Sequence, residues 1–165
     1  MAQFLGPLEP AEAGWVIGDP NRKGGMWVLL TPEGLEHRRH GEAAPRLTVA
    51  WSRFMELNVQ AAYRKWQTTP GLPARPGADM GRDGCSLHGT VRHPYEPWRV
   101  RYTHHQRGYK GAQVMTLKFL FTQLTEAKAL HRLGDPEWLG AAVARLSGHT
   151  SWNGPKARRL VETTV

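Results

Sequence analysis

Cysteine is nearly absent: Cys85 stands alone among 165 residues. No intrachain disulfide can form, which excludes a secreted scaffold held together by bridges. Nor is any apolar run close to the ~18 residues that a membrane span needs. The stretch from Met1 to Gly14 lacks both a basic start and an apolar core, so no signal peptide is expected and the cytoplasm is the default compartment. No phosphate-cradling glycine loop and no internal repeat stand out. Acidic residues are in deficit, with 14 Asp and Glu against 22 Lys and Arg, a formal net charge of +8. That balance favours anionic partners without choosing among nucleic acid, an acidic surface and an acidic protein.

What is present is enough for one globular domain. Apolar residues make up 40% and charged residues 22% of the chain, the mixture of a folded protein rather than a disordered one. Seven tryptophans are many for this length, and several must anchor the core.

Residues 1–25 carry Pro7, Pro10, Pro20 and several glycines and read as a loose extension, with a short strand at Trp15-Val16-Ile17. Met26 to Thr31 is short, β-branched and aromatic, so it reads as a buried strand. Pro32-Glu33-Gly34 turns the chain, and Leu35 to His40 returns it as a strand with one wet face. Leu47, Val49 and Trp51 keep a period of two, Ser52-Arg53 interrupts it, and Phe54, Leu57 and Val59 resume it. A strand is favoured there, with a helix through 52–65 as the alternative. Residues 67–84 are rich in proline and glycine and read as a long loop. Three more strands follow, at Cys85–Val91, Trp98–Tyr102 and Val114–Phe121, with a turn at 106–111 between the last two. A short helix is expected over Glu126–Leu133. A second is expected over 136–147, capped by Asp135 with Pro136 at its first position and packed by Trp138, Leu139, Val143 and Leu146. The basic tail from Lys156 reads as frayed.

The expected fold is therefore mainly β within the α+β class. It would be an antiparallel sheet or open barrel of about six to seven strands, closed by a C-terminal helix. Residues 26–150 would form the domain, with 1–25 as an extension and 151–165 as a basic tail.

Three local features carry a family resemblance. They are the opening hairpin Trp27-Val28-Leu29-Leu30-Thr31 with Glu33-Gly34-Leu35, the strand Leu47-Thr48-Val49-Ala50-Trp51-Ser52-Arg53-Phe54, and the amphipathic helix with Trp138. Together with Ser147-Gly148-His149 and Ala157-Arg158-Arg159-Leu160, they make residues 15–150 resemble a bacterial, actinobacterial-type pleckstrin-homology-like domain. The resemblance implies a scaffold that binds inositol phosphates, peptides or partner proteins. Lipid-binding members place Lys and Arg around the first hairpin loop. Here that loop is the acidic Pro32-Glu33-Gly34, and Arg38-Arg39 only follows it, so the phosphoinositide pattern is not matched.

The candidate partner-binding residues are Arg99, Arg101, Arg107, Tyr109 and Lys110 on the expected 99–110 hairpin, with Arg38 and Arg39. Forked guanidinium donors on one strand face suit phosphates or carboxylates, although exposed strand charges also guard sheet edges. Tyr63, Lys65 and Trp66 join Arg107 and Tyr109 in mixing aromatics with positive charge, which suits base stacking, but no nucleic-acid motif accompanies them. Trp138 and Leu139 read as core. Cys85, His88 and His93, the pair His104-His105, and His37 with His40 are too few to build a metal site. Cys85 or Ser86 beside a histidine is formally a nucleophile pair, but neighbours on one strand point to opposite faces. Asp79, Asp83 and Glu96 have no partner acid suggested by spacing. The favoured expectation is a non-enzymatic binding or adaptor domain for an acidic protein or phosphate-bearing ligand, without cofactor or metal. A nucleic-acid-binding protein and a small enzyme using a histidine cluster are the alternatives.

Overall fold

The computed structural model describes residues 3–61, 85–149 and 153–165. Five strands, β1 (Leu8–Ala11), β2 (Gly14–Ile17), β3 (Met26–Leu30), β4 (Gly34–Arg39) and β5 (Leu47–Ala50), form an antiparallel sheet in chain order. Three more, β6 (Phe54–Gln60), β7 (Ser86–Val91) and β8 (Glu96–Arg101), form a second antiparallel sheet, also in chain order. Helices α1 (Gly111–Glu126), α2 (Pro136–Leu146) and α3 (Gly154–Glu162) complete the fold. The class is thus α+β, and the two sheets do not close into a barrel. Among the described residues no helix is long and apolar enough to cross a membrane. The aromatic-cationic residues Tyr63, Lys65 and Trp66, and the 67–84 loop with Asp79 and Asp83, lie outside the described residues.

The hairpin β3–β4 forms as its sequence suggests. Leu30 pairs with Leu35 and Val28 with His37, and the Thr31 hydroxyl donates to the carbonyl of Gly34 at 2.9 Å across the turn. A Cβ at Gly34 would overlap the carbonyl of Val49, so only glycine lets β5 come this close.

The segment expected as a loose extension is, over its described residues 3–25, part of the first sheet. Leu8 pairs with Ile17 and Pro10 with Trp15, and Leu5, Leu8 and Ile17 are completely buried. The prolines concealed this strand. Pro10 is tolerated because β1 is an edge strand, where a missing N–H leaves no ladder bond unmade.

The largest correction falls on Val114–Phe121, which is helix rather than strand. Its alternation of Met115, Leu117, Phe119 and Phe121 is real, but the apolar residues completely buried are Val114, Leu117, Leu120, Phe121 and Leu124, a helical set at spacings of three and four. Because α1 is apolar on nearly every side, period alone cannot separate helix from buried strand; its 16 residues decide the matter. It follows directly on the second sheet and packs against β6 and α3. The expected 99–110 hairpin therefore does not exist. The expected short helix at 126–133 is the end of α1 followed by a 3-10 turn at Leu130–Gly134.

Helix α2 matches its reading. The Asp135 carboxylate accepts from the backbone N–H groups of Glu137 and Trp138, both at 3.1 Å, Pro136 opens the helix, and Leu139, Val143 and Leu146 are buried. The basic tail is helical instead of frayed: Asn153 caps α3 through the N–H of Lys156 at 3.0 Å, and Ala157 and Val161 are buried.

Two corners join the sheets. At one, Thr103 beyond β8 donates its N–H to the carbonyl of Met26 at 2.7 Å and receives that of Asp19 at 3.0 Å, while the His37 Nε2–H donates to the carbonyl of Arg101 at 2.8 Å. At the other, a 3-10 turn at Trp51–Arg53 carries the chain from β5 to β6. The Trp51 indole N–H donates to the carbonyl of Thr31 at 2.8 Å, and Gly134 lies against both groups with no room for a Cβ. Substituting Gly134→Ala should therefore lower the unfolding free energy by about 2–3 kcal/mol, since the rigid neighbours are backbone and indole; urea denaturation checks this.

Candidate functional site

The seven residues expected to bind a partner are scattered. Arg99 is exposed on β8 opposite His88, and Arg101 is half-buried beside His37. Arg38 is engaged by Glu36 at 2.7 Å and lies over the Trp27 ring. Arg39 is exposed at the end of β4, and Lys110 is exposed just before α1. Burial, and then the Arg46 charge, favour neutral His37 and lower its pKa; burial followed by the Arg99 charge does the same for His88.

Arg107 and Tyr109 belong to an internal network. The Glu9 carboxylate on β1 meets His105 Nε2 at 2.7 Å and Arg107 Nη2 at 3.2 Å. Arg107 also donates to the carbonyl of Gly6 at 3.0 Å and covers the Phe4 ring at 3.8 Å. With Nε2–H given to Glu9, His105 Nδ1 is left to accept the Tyr109 hydroxyl proton at 2.7 Å, while the Tyr109 oxygen accepts the His105 N–H at 3.0 Å. Every polar atom of this carboxylate–imidazole–phenol chain is thereby satisfied. Burial pushes the Tyr109 phenol far above its ordinary range. Burial also opposes ionisation of Glu9, but the hydrogen bonds from His105 and Arg107, with the Arg107 charge, outweigh it and hold the carboxyl low. His105 and Tyr109 are 6% and 5% exposed, too enclosed to meet a ligand. The network ties the first strand to the segment that leads into α1. Of the other histidines, His40 meets the carbonyl of Pro20 at 2.9 Å, and His104 stacks on Tyr109 at 4.0 Å. Among the described residues no group of three His, Cys, Asp or Glu side chains is placed to hold a metal ion.

A cleft lies elsewhere, at the corner where β5 hands over to β6. It has a volume of about 670 Å³, within the range of small-molecule sites. Trp51, Phe54, Met55 and Leu130 give it apolar walls, and Arg92, Lys128 and His131 bring positive or protonatable groups to it from three separate elements. Glu33, in the β3–β4 turn, is the one acid among its lining residues.

Three local departures from regular structure surround this cleft. A bulge in β6 sets Phe54 opposite Val91 and Glu56 opposite Thr90, so Met55 has no strand partner and is 49% exposed. Lys128, after α1, has φ +54°, and His93, beside Arg92, has φ +64°. Bulges and left-handed non-glycine residues cluster where side chains are being aimed. Arg92 is itself fixed. Its N–H donates to the carbonyl of Arg53 and its Nε to that of Ser52, both at 2.8 Å, while Arg53 Nε donates back to the carbonyl of Arg92 at 3.1 Å. Two guanidinium groups are thus drawn to one place, and among the described residues neither has an acidic partner.

None of the cleft's basic residues was singled out from sequence. The available signal was the Ser52-Arg53 break in the period-two pattern, which marks the crossover and bulge. Arg92, Lys128 and His131 lie in turns and carry no pattern of their own. No protein-family model matches this chain, and no curated protein and no solved structure matches it either.

The Glu9 network yields a test. Because the Glu9 pKa is held low, its stabilisation is fully present above the ordinary carboxylate value of 4.5 and is lost as pH falls through the lower folded value. Glu9→Gln should cost about 1–3 kcal/mol at pH 7, and the deficit against the parent protein should shrink below pH 4.5, as followed by denaturation at both pH values.

Proposed function

We propose that this chain is a non-enzymatic binding domain of pleckstrin-homology-like type that recognises an anionic partner through the cleft at the β5–β6 corner. The observation that carries the reading is the pairing of Arg92, Lys128 and His131 with a partly apolar cleft whose lining holds one acid, Glu33. Such a site offers charge-assisted hydrogen bonds to an anionic head and apolar contact to whatever bears it. The architectural half of the reading is supported by the order of one antiparallel sheet, a second antiparallel sheet and then helices, the first of which packs on β6.

In this reading Arg38, Arg39, Arg99, Arg101 and Lys110 contribute to a positive field that raises the local concentration of anions, whereas Arg107 and Tyr109 serve the fold. The nucleic-acid alternative has the net charge of +8 behind it.

Heteronuclear NMR with phenyl phosphate, benzoate and benzenesulfonate as small anionic probes tests the proposal. Saturating shifts are expected at 51–55, 92 and 125–131. Arg92→Glu should weaken binding by about tenfold or more, the loss of a charge-assisted hydrogen bond combined with a reversed charge, while Arg39→Glu should leave it within about threefold, the scale of a screened surface charge. Shifts confined to residues 38–39 and 99–101, or indifference to Arg92→Glu, would place the site elsewhere.

A further inference from the structure

We infer that Lys128 is a ligand-gripping residue, held in left-handed backbone against its own preference, and that the group it grips is a phosphoryl-type oxyanion with three terminal oxygens. The inference rests on the cleft reading above and names its ligand class.

Helix α1 ends in a well-defined motif. The Ala129 N–H donates to the carbonyl of Leu124 at 2.8 Å, and the Lys128 N–H to that of Thr125 at 3.1 Å. This pair of bonds requires the residue between Ala127 and Ala129 to be left-handed, and Lys128 has φ +54°. Glycine, and after it asparagine, is the usual occupant, because a Cβ is crowded by its own backbone in that conformation. Lysine has no such licence.

The two bonds cap α1, but they use only backbone, and glycine would make them without the strain. The side chain is exposed, and among the described residues no acid and no hydrogen-bond acceptor engages its ammonium group. What the position does achieve is placement: Lys128 lines the cleft together with Arg92 and His131. A lysine where glycine would cap the helix equally well, at the edge of a cleft with two further basic side chains, is where strain is expected to serve binding.

The donor set indicates the ligand's head group. Arg92, Lys128 and His131 come from the β7–β8 turn, the end of α1 and the following 3-10 turn. Three independent donors match the three terminal oxygens of a phosphate monoester, whereas a carboxylate has two oxygens and is served by one guanidinium fork. A phosphate monoester also carries close to two negative charges at neutral pH, which suits a clustered positive site. Glu33 in the same lining disfavours a second anionic group on the ligand, and Trp51, Phe54 and Met55 suit an apolar or aromatic carrier.

Calorimetric titration of the full chain with phenyl phosphate and benzoate, with Lys128→Gly and Lys128→Arg alongside the parent, decides the matter. Without ligand, Lys128→Gly should raise the melting temperature by about 2–4 °C, as relief of the left-handed strain exceeds the entropy glycine adds to the unfolded chain. The same substitution should weaken phenyl phosphate about tenfold. Lys128→Arg should keep the affinity within about threefold and show no thermal gain, and benzoate should bind the parent clearly more weakly than phenyl phosphate. Unchanged affinity in Lys128→Gly, or no rise in its melting temperature, overturns the assignment of Lys128 and leaves the cleft reading standing. Equal binding of benzoate overturns the phosphoryl assignment. Failure of the parent protein to bind either probe removes the cleft reading, and this inference with it.

Discussion

The hydrogen bond from the Trp51 indole to the carbonyl of Thr31, 2.8 Å long, fixes the corner on which the rest of the site depends. It joins the turn of the first hairpin to the residue at which the chain leaves the first sheet for the second. The bond is sealed by Gly134, whose missing side chain lets the 3-10 turn after α1 close over both groups. A buried indole N–H is stabilised by an acceptor, and the Thr31 carbonyl is brought within reach by the tight β3–β4 turn at Gly34. From that corner the cleft walls follow. Phe54 and Met55 leave it in one direction, and Leu130 and His131 approach it from the other.

The opposite corner is held differently. There Thr103 ties β2, β3 and the end of β8 together through backbone bonds, and the Glu9, His105 and Tyr109 chain links the first strand to the segment entering α1. Gln113 on α1 extends that connection, accepting from the N–H of Gly6 and donating to the carbonyl of Ser147, each at 3.3 Å. One corner is therefore tied together by mutual hydrogen bonds between its own segments. The other has clustered arginines, a bulge and left-handed residues whose local geometry opposes intrinsic preference. Folds agree with local rules nearly everywhere and depart from them where function makes demands, and this contrast supports the proposal that the β5–β6 corner is the working end.

How much of this was legible in sequence depended on whether the signal was local. Asp135-Pro136-Glu137 announces a helix start through its own backbone chemistry, and α2 begins there. Trp27 to Leu35 states its hairpin in the same way. Val114 to Phe121 failed because α1 is buried on most sides, so its apolar residues satisfied a period of two as readily as one of 3.6. Pro7 and Pro10 obscured β1 because edge position, which makes proline harmless, is a property of the whole sheet. The site was harder still. Arg99, Arg101 and Arg107 looked like a group only because a hairpin was expected to carry them. Arg92, Lys128 and His131 are brought together by the crossover at Trp51 and the end of α1, contacts between distant segments that no short pattern encodes.

The central claim is that the anion site is the cleft at the β5–β6 corner rather than the arginine-rich strands. Crystals soaked in selenate, with the selenium located by anomalous scattering, test it most directly. The account predicts a selenium peak in the cleft, within hydrogen-bonding reach of Arg92 and Lys128 through the selenate oxygens. Peaks confined to Arg38–Arg39 or to Arg99 and Arg101, with the cleft empty, would contradict it.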